Sequence, residues 1–231
     1  MTSLLFALEP ERIVVACDSL SCTVDKLPRG FVSKIHPLPH LSTVVCGTGS
    51  ASVLTHWLCT ICENVVARNV DVLVELAGDQ LMGIDQRLRD VYPEAAGLTS
   101  TVYHFGYSWS EKSFVGYAHR SGDGYRPERV EYGFGMKPPP ENMAAAAARW
   151  LEAGPQSLVE LMQQQKDDDE RRPLHERVGI GGEVHVCVAE APPFACRVQV
   201  CHEFSDASDA WNAILDRLRE DGSLRAVPRA P

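Results

Sequence analysis

Strands, two helices, strands, two helices and strands follow one another along 231 residues, and that order predicts an α+β fold: two antiparallel sheets sandwiched between helical layers, a four-layer αββα arrangement. Two observations support it. Short apolar runs flank turn residues at the amino-terminus, and apolar residues recur at helical spacing in the long stretches that separate the strand groups. With 45% hydrophobic residues the chain can bury one sizeable core, so residues 1–231 are expected to form a single domain, with 221–231 as a mobile tail.

In order along the chain, Ser3 to Leu8 and Ile13 to Cys17 read as strands around the turn Glu9-Pro10-Glu11. Ser33 to Leu38 and Ser42 to Cys46 form a second pair split by Pro39. Gly47-Thr48-Gly49-Ser50 then leads into an apolar-periodic stretch through Trp57, Leu58, Ile61 and Val65, a helix expected to reach Arg68. A second helix spans Asp71 to Val91, punctuated by Pro93 and Gly97. Strands return at Ser100 to Tyr107, Ser113 to His119 and Arg129 to Tyr132. Asn142 to Glu152, with its alanine run, has strong helix propensity, and the run is expected to pack tightly; Gln156 to Arg171 is a second helix. Asp167 to Glu170 reads as a solvated helix end or loop. Glu183 to Ala189 and Ala195 to Glu203 are strands about Pro192-Pro193, and Asp206 to Glu220 is a closing amphipathic helix.

A formal charge of −9 and a pI near 5.4, with no basic cluster, argue against a general nucleic-acid or anionic-membrane surface. No apolar run approaches membrane-spanning length, and MTSLLFALEPER lacks a basic n-region while carrying Glu9 and Glu11, so a cytoplasmic protein without signal peptide or membrane span is expected. The eight cysteines read as reduced core residues. Cys59 and Cys62 form a C-x-x-C, but no second pair or histidine cluster completes a tetrahedral zinc site, so no metal is expected. His36 and His40 flank prolines and read as surface or packing residues.

The chemistry-bearing pattern lies near the start. Removal of Met1 would leave Thr2 as the amino-terminus, with Asp18 in ERIVVACDS and Lys34 in FVSKIHPL. A threonine hydroxyl is a weak nucleophile, and an N-terminal threonine carries its own base, the α-amine, whose ordinary pKa is roughly 7.7 to 8.0. A buried lysine beside that amine disfavours its protonation, and the lysine needs a counter-ion, for which Asp18 is the candidate. Singly, the three residues have plainer readings as a chain end, a turn residue and a surface charge. Together they point to an N-terminal nucleophile hydrolase.

With VVACDS, SKI and CGTGSAS spaced behind Thr2, the chain resembles proteasome β-subunits and their bacterial relatives, the group of HslV, Anbu and the betaproteobacterial proteasome homologue. The resemblance covers roughly residues 2 to 220 in element order and the first 60 or so in motif detail. It implies a proteasome-like Ntn-hydrolase fold and a threonine endopeptidase without cofactors: Thr2 as nucleophile and base, Asp18 and Lys34 tuning the charge around it, and Ser21, Cys22 and Val32 along the substrate channel. An N–H in the glycine-rich turn would stabilise the oxyanion. One residue is missing there relative to typical β-subunits, which leaves Cys46, Gly47 or Thr48; Gly47, at a helix start without a side chain, is the expected donor. The resemblance further implies a homo-oligomeric double ring, a dodecamer or tetradecamer, enclosing polypeptide substrates, and leaves room for an ATPase unfoldase that no residue here identifies. Two departures stand out. Gly133-Phe134-Gly135 occupies the place of a G-S-G whose serine lies near the nucleophile, and aligning on Gly181-Gly182 puts Arg177 and Ile180 where β-subunits carry an accessory aspartate and serine. An amidase for small amides, or a catalytically silent ring scaffold, are the alternatives these departures keep open.

Overall fold

The computed structural model describes residues 2–93, 97–191 and 194–223. The elements in chain order are β1 (Leu4–Leu8), β2 (Arg12–Asp18), β3 (Leu20–Cys22), β4 (Pro28–Phe31), β5 (Ile35–Leu38), β6 (Thr43–Gly49), α1 (Ala51–Asn64), α2 (Val70–Val91), β7 (Ser100–Ser108), β8 (Ser113–Arg120), β9 (Pro127–Val130), β10 (Gly133–Lys137), α3 (Met143–Ala153), α4 (Leu158–Glu170), β11 (Glu183–Glu190), β12 (Ala195–Glu203) and α5 (Ala207–Glu220). One antiparallel sheet runs β10-β1-β2-β11-β12 and the other β5-β6-β7-β8-β9, with β3 and β4 as a separate hairpin.

Successive side chains of a strand leave opposite faces, so each sheet offers two apolar surfaces. Leu4, Leu8 and Val15 of the first sheet meet Val44, Phe105 and Phe114 of the second. The alternate residues Leu5, Ala7 and Val14 pack outward on Trp150 of α3 and on Leu161 and Met162 of α4. On the far side Val45 and Val102 pack on Trp57 of α1 and on Leu73 and Leu81 of α2. The αββα order is therefore present. Asn69 and Asn142 cap α2 and α3, their side chains accepting from the Val72 and Ala145 N–H groups at 3.3 and 3.0 Å.

Several expectations are corrected. α1 stops at Asn64, because Val65 is already extended. The hairpin β3–β4 and the strand β10 had not been expected. Of the run Ala144–Ala148 only Ala146 is buried, so the run serves helix propensity more than tight packing within this chain. Asp168 and Asp169, placed on a solvated helix end, are buried: Asp168 accepts from the Glu141 N–H and Asp169 from those of Val178 and Gly179. Cys59, Cys62 and Cys201 are exposed rather than core. The tail expected at 221–231 lies, from residue 224 on, outside the described residues.

β10 also explains its own glycines. Gly135 stands opposite Phe6, and a Cβ there would fall 2.3 Å from the Phe6 ring, so the ring lies across the glycine. Gly135→Ala is expected to displace Phe6 from its contacts with Tyr103 and Phe105 and to cost about 1–3 kcal/mol. A fall in the urea midpoint at unchanged slope would show this; an unchanged midpoint would mean that the ring yields freely.

Candidate active site

β1 and β2 pair with Leu4 opposite Cys17, which brings the residues just outside that pair, Ser3 and Asp18, side by side. The Ser3 N–H donates to Asp18 Oδ1 at 2.9 Å, and the Asp18 N–H to the Ser3 carbonyl at 3.4 Å. Thr2 is thereby held at the mouth of the first sheet, 7% exposed.

Asp18 is fully buried, a costly place for a carboxylate unless its oxygens are partnered. Lys34, the residue before β5, is 6% exposed and donates from Nζ to Asp18 Oδ1 at 2.7 Å and to the Leu20 carbonyl at 2.6 Å. The Gly181 N–H reaches Asp18 Oδ2 at 3.3 Å. A single ion pair thus ties the start of β1, the end of β2, the lead into β5 and the Gly181-Gly182 loop. Asp169 fixes that loop from behind by holding Val178 and Gly179. Gly182 has φ +76°, and a Cβ would sit 2.4 Å from Ser19 Oγ, so glycine is required both by the backbone angle and by the close approach of Ser19, the residue after β2.

Thr2, Lys34 and Gly47 line one cleft of about 210 Å³, and Ser21, Cys22 and Val32 line it with them. Asp18 lies beneath, bonded to Lys34. The four residues expected at the reaction centre, Thr2, Asp18, Lys34 and Gly47, and the three expected along the channel, Ser21, Cys22 and Val32, therefore converge. Ser21 and Cys22 come from β3, and Val32 follows β4, its N–H bonded to the Ser19 carbonyl at 2.8 Å. Burial pushes the Cys22 thiol up, so it remains a thiol, with Sγ 3.8 Å from the Gly179 carbonyl. His36 is half-buried at the edge, and burial lowers its pKa, which keeps the ring neutral.

Three sequence expectations about this site change. Gly47 does not start a helix: it lies in β6 opposite Val102, four residues before α1. A Cβ on it would approach the Thr101 carbonyl to 3.1 Å, so its lack of a side chain is also a packing requirement. Phe134 does not line the cleft with Thr2. It stands opposite Ala7, and its ring stacks on Trp150 at 5.3 Å, on the helical side of the sheet. The strand end beside Thr2 is Lys137, opposite Leu4, followed by Pro138-Pro139-Pro140, which carry no hydroxyl. Arg177 and Ile180 do not line the cleft; Arg177 donates to the Glu170 and Arg172 carbonyls and Ile180 is in the apolar layer under the sheet.

Sequence reasoning missed Gln165. Its Oε1 accepts from Ser3 Oγ at 2.6 Å, and its Nε2 donates to the Pro138 carbonyl at 2.6 Å, so it braces the residue next to Thr2 against the β10 end. The run Gln163-Gln164-Gln165 hides it. The available signal was periodicity: Leu158, Leu161, Met162 and Gln165 fall on one buried stripe of α4.

No protein-family model matches the chain, and no curated sequence matches it significantly. Solved structures do. Anbu (ancestral beta-subunit) from Yersinia bercovieri superposes with a TM-score of 0.60 at 11% identity, covering 100% of both chains. Anbu from Hyphomicrobium sp. strain MC1 gives 0.55 at 13% identity, again over 100% of both chains. A Gly-1 mutant of the Hyphomicrobium protein gives 0.55 at 14%, covering 96% of this chain and 97% of that one. At such identities the likeness establishes the fold: it is the proteasome-like αββα fold of the Anbu structures.

Proposed function

We propose that the chain is a threonine-type peptidase of the N-terminal nucleophile class, active once Met1 is removed. The observation that carries this reading is the placement of Thr2 in a cleft with Lys34, whose ammonium is fixed by the buried Asp18. In the proposed cycle Thr2 Oγ attacks a peptide carbonyl while its proton passes to the α-amine of Thr2. The tetrahedral intermediate collapses to an acyl ester as that proton goes to the leaving amine, and a water activated by the same amine then releases the acid. Lys34 disfavours protonation of the α-amine, and an N–H at Gly47 faces the oxyanion. Ser21, Cys22 and Val32 line the channel that the polypeptide occupies. The enzyme would work in the cytoplasm inside a homo-oligomeric double ring, a dodecamer or tetradecamer, which leaves room for an ATPase unfoldase, with no metal or organic cofactor. Among the described residues no helix is long and apolar enough to cross a membrane.

Intact mass before and after incubation with a peptide epoxyketone tests the reading, since the ring adduct requires both the hydroxyl and the free amine of an N-terminal threonine. Loss of Met1 and one adduct per chain, absent in Thr2→Ala, is the expected result. A chain lacking Met1 that forms no adduct and hydrolyses no peptide would overturn it and bring forward the silent scaffold.

A further inference from the structure

The cleft around Thr2 has walls of one charge sign. Lys26 and Arg29 stand on the β3–β4 hairpin and Lys34 before β5, and no aspartate or glutamate is among the described residues that line it. This holds in a chain with 31 acidic and 22 basic residues. Lys34 is committed to Asp18, whereas among the described residues Lys26 and Arg29 enter no ion pair. The hairpin that carries them is braced. At its tip the Lys26 N–H donates to the Thr23 carbonyl at 3.1 Å, the Thr23 N–H to the Leu27 carbonyl at 2.9 Å, and the Leu27 N–H to Thr23 Oγ1 at 3.1 Å. Arg217 of α5 donates to the Arg29 carbonyl at 2.8 Å. The two cations are thus held beside the cleft rather than on a free loop.

A concave site with one sign of charge concentrates ligands of the other sign, and here it does so against the sign of the whole molecule. We propose that the cleft selects acidic peptides, seating an aspartate or glutamate side chain against Lys26 and Arg29 while a neighbouring carbonyl lies at Thr2. The placement at Thr2 rests on the peptidase reading; the charge selection rests on the cleft alone.

Two fluorogenic peptides identical except for glutamate in place of glutamine separate these claims. At low salt kcat/KM for the glutamate peptide is expected to exceed that for the glutamine peptide by roughly three- to tenfold, and the ratio to fall toward one at high salt and in Lys26→Gln/Arg29→Gln. The ratio is internal to each protein, so partial loss of folding does not imitate the effect. If the double variant fails to fold, each single substitution gives the same comparison. Fluorescence anisotropy of the labelled peptides on Thr2→Ala is expected to show the same order without turnover. Equal, Thr2-dependent hydrolysis of both peptides would overturn the selection and leave the peptidase standing. Absence of hydrolysis, with tighter binding of the glutamate peptide that Lys26→Gln/Arg29→Gln abolishes, would overturn the peptidase and support the selection. A glutamate preference that survives the double variant would assign it elsewhere on the molecule and overturn the proposal.

Discussion

Lys34→Met is expected to abolish epoxyketone adduct formation and to lower stability by about 3–5 kcal/mol, the usual cost of leaving one member of a buried ion pair behind. Methionine keeps much of the lysine stem's volume, so packing changes little; what goes is the ammonium. Asp18 would retain the Ser3 and Gly181 N–H groups at 2.9 and 3.3 Å, but among the described residues Lys34 is the cation it pairs with. The carboxylate would then have to protonate, draw in water or pull the Ser3 backbone out of register, and any of these moves the adjoining Thr2. Catalysis and stability can be separated. Adding Asp18→Leu to Lys34→Met removes the stranded charge and is expected to recover part of the lost stability while the adduct remains absent. Chemical denaturation and intact mass on the wild type, the single and the double variant give the two readouts. A Lys34→Met protein that forms the adduct at the wild-type rate would show that the ammonium does not support the proposed role of Thr2.

Much of this site was legible because the proposed chemistry depends on residue types at fixed spacing near the amino-terminus. Thr2 lies two residues before β1, Asp18 ends β2 and Lys34 immediately precedes β5, and the apolar runs of these strands could be read directly, so the pairing of β1 with β2 and the lead into β5 followed. The elements that escaped are those in which burial and residue type disagree. β3 and β4 are three and four residues long, and β4 begins with Pro28 and contains Gly30, so neither gives an alternation to detect. β10 opens Gly133-Phe134-Gly135, which reads as a turn until Phe6 is seen to cover Gly135. Matching this G-x-G to the family's G-S-G put Phe134 beside Thr2, although its ring packs on Trp150. Asp168, Asp169 and Gln165 were missed for the opposite reason: polar residues on a helix read as solvated, and only tertiary contacts with Glu141, the 178–179 backbone and Ser3 make their burial tolerable.

Acid should loosen the helical layer of the second sheet well before the carboxylates titrate. Trp57 Nε1 donates to His104 Nε2 at 2.8 Å, which leaves the His104 proton on Nδ1, where it faces His119 Nδ1 at 3.3 Å; His119 then carries its own proton on Nε2. Both rings are fully buried. Any added proton would land on a nitrogen that already accepts a hydrogen bond. Burial pushes His119 down to about 4, offset in part by the Val74 and Val102 carbonyls, and burial followed by the neighbouring His119 holds His104 well below the ordinary range. In the unfolded chain each imidazole titrates near ~6.5. Between that value and the folded one the unfolded state binds more protons, so stability is full above ~6.5 and is lost as pH falls through the window. For His119 the loss by pH 5 is about 2 kcal/mol, with His104 adding to it in the same direction. Denaturation midpoints between pH 7 and pH 5 are expected to fall steadily, while the two imidazoles show no titration by NMR above pH 5. Midpoints that stay level over that range, or a His119 ring that titrates near ~6.5, would mean that the Trp57–His104–His119 chain opens to solvent and does not hold α1 on the sheet.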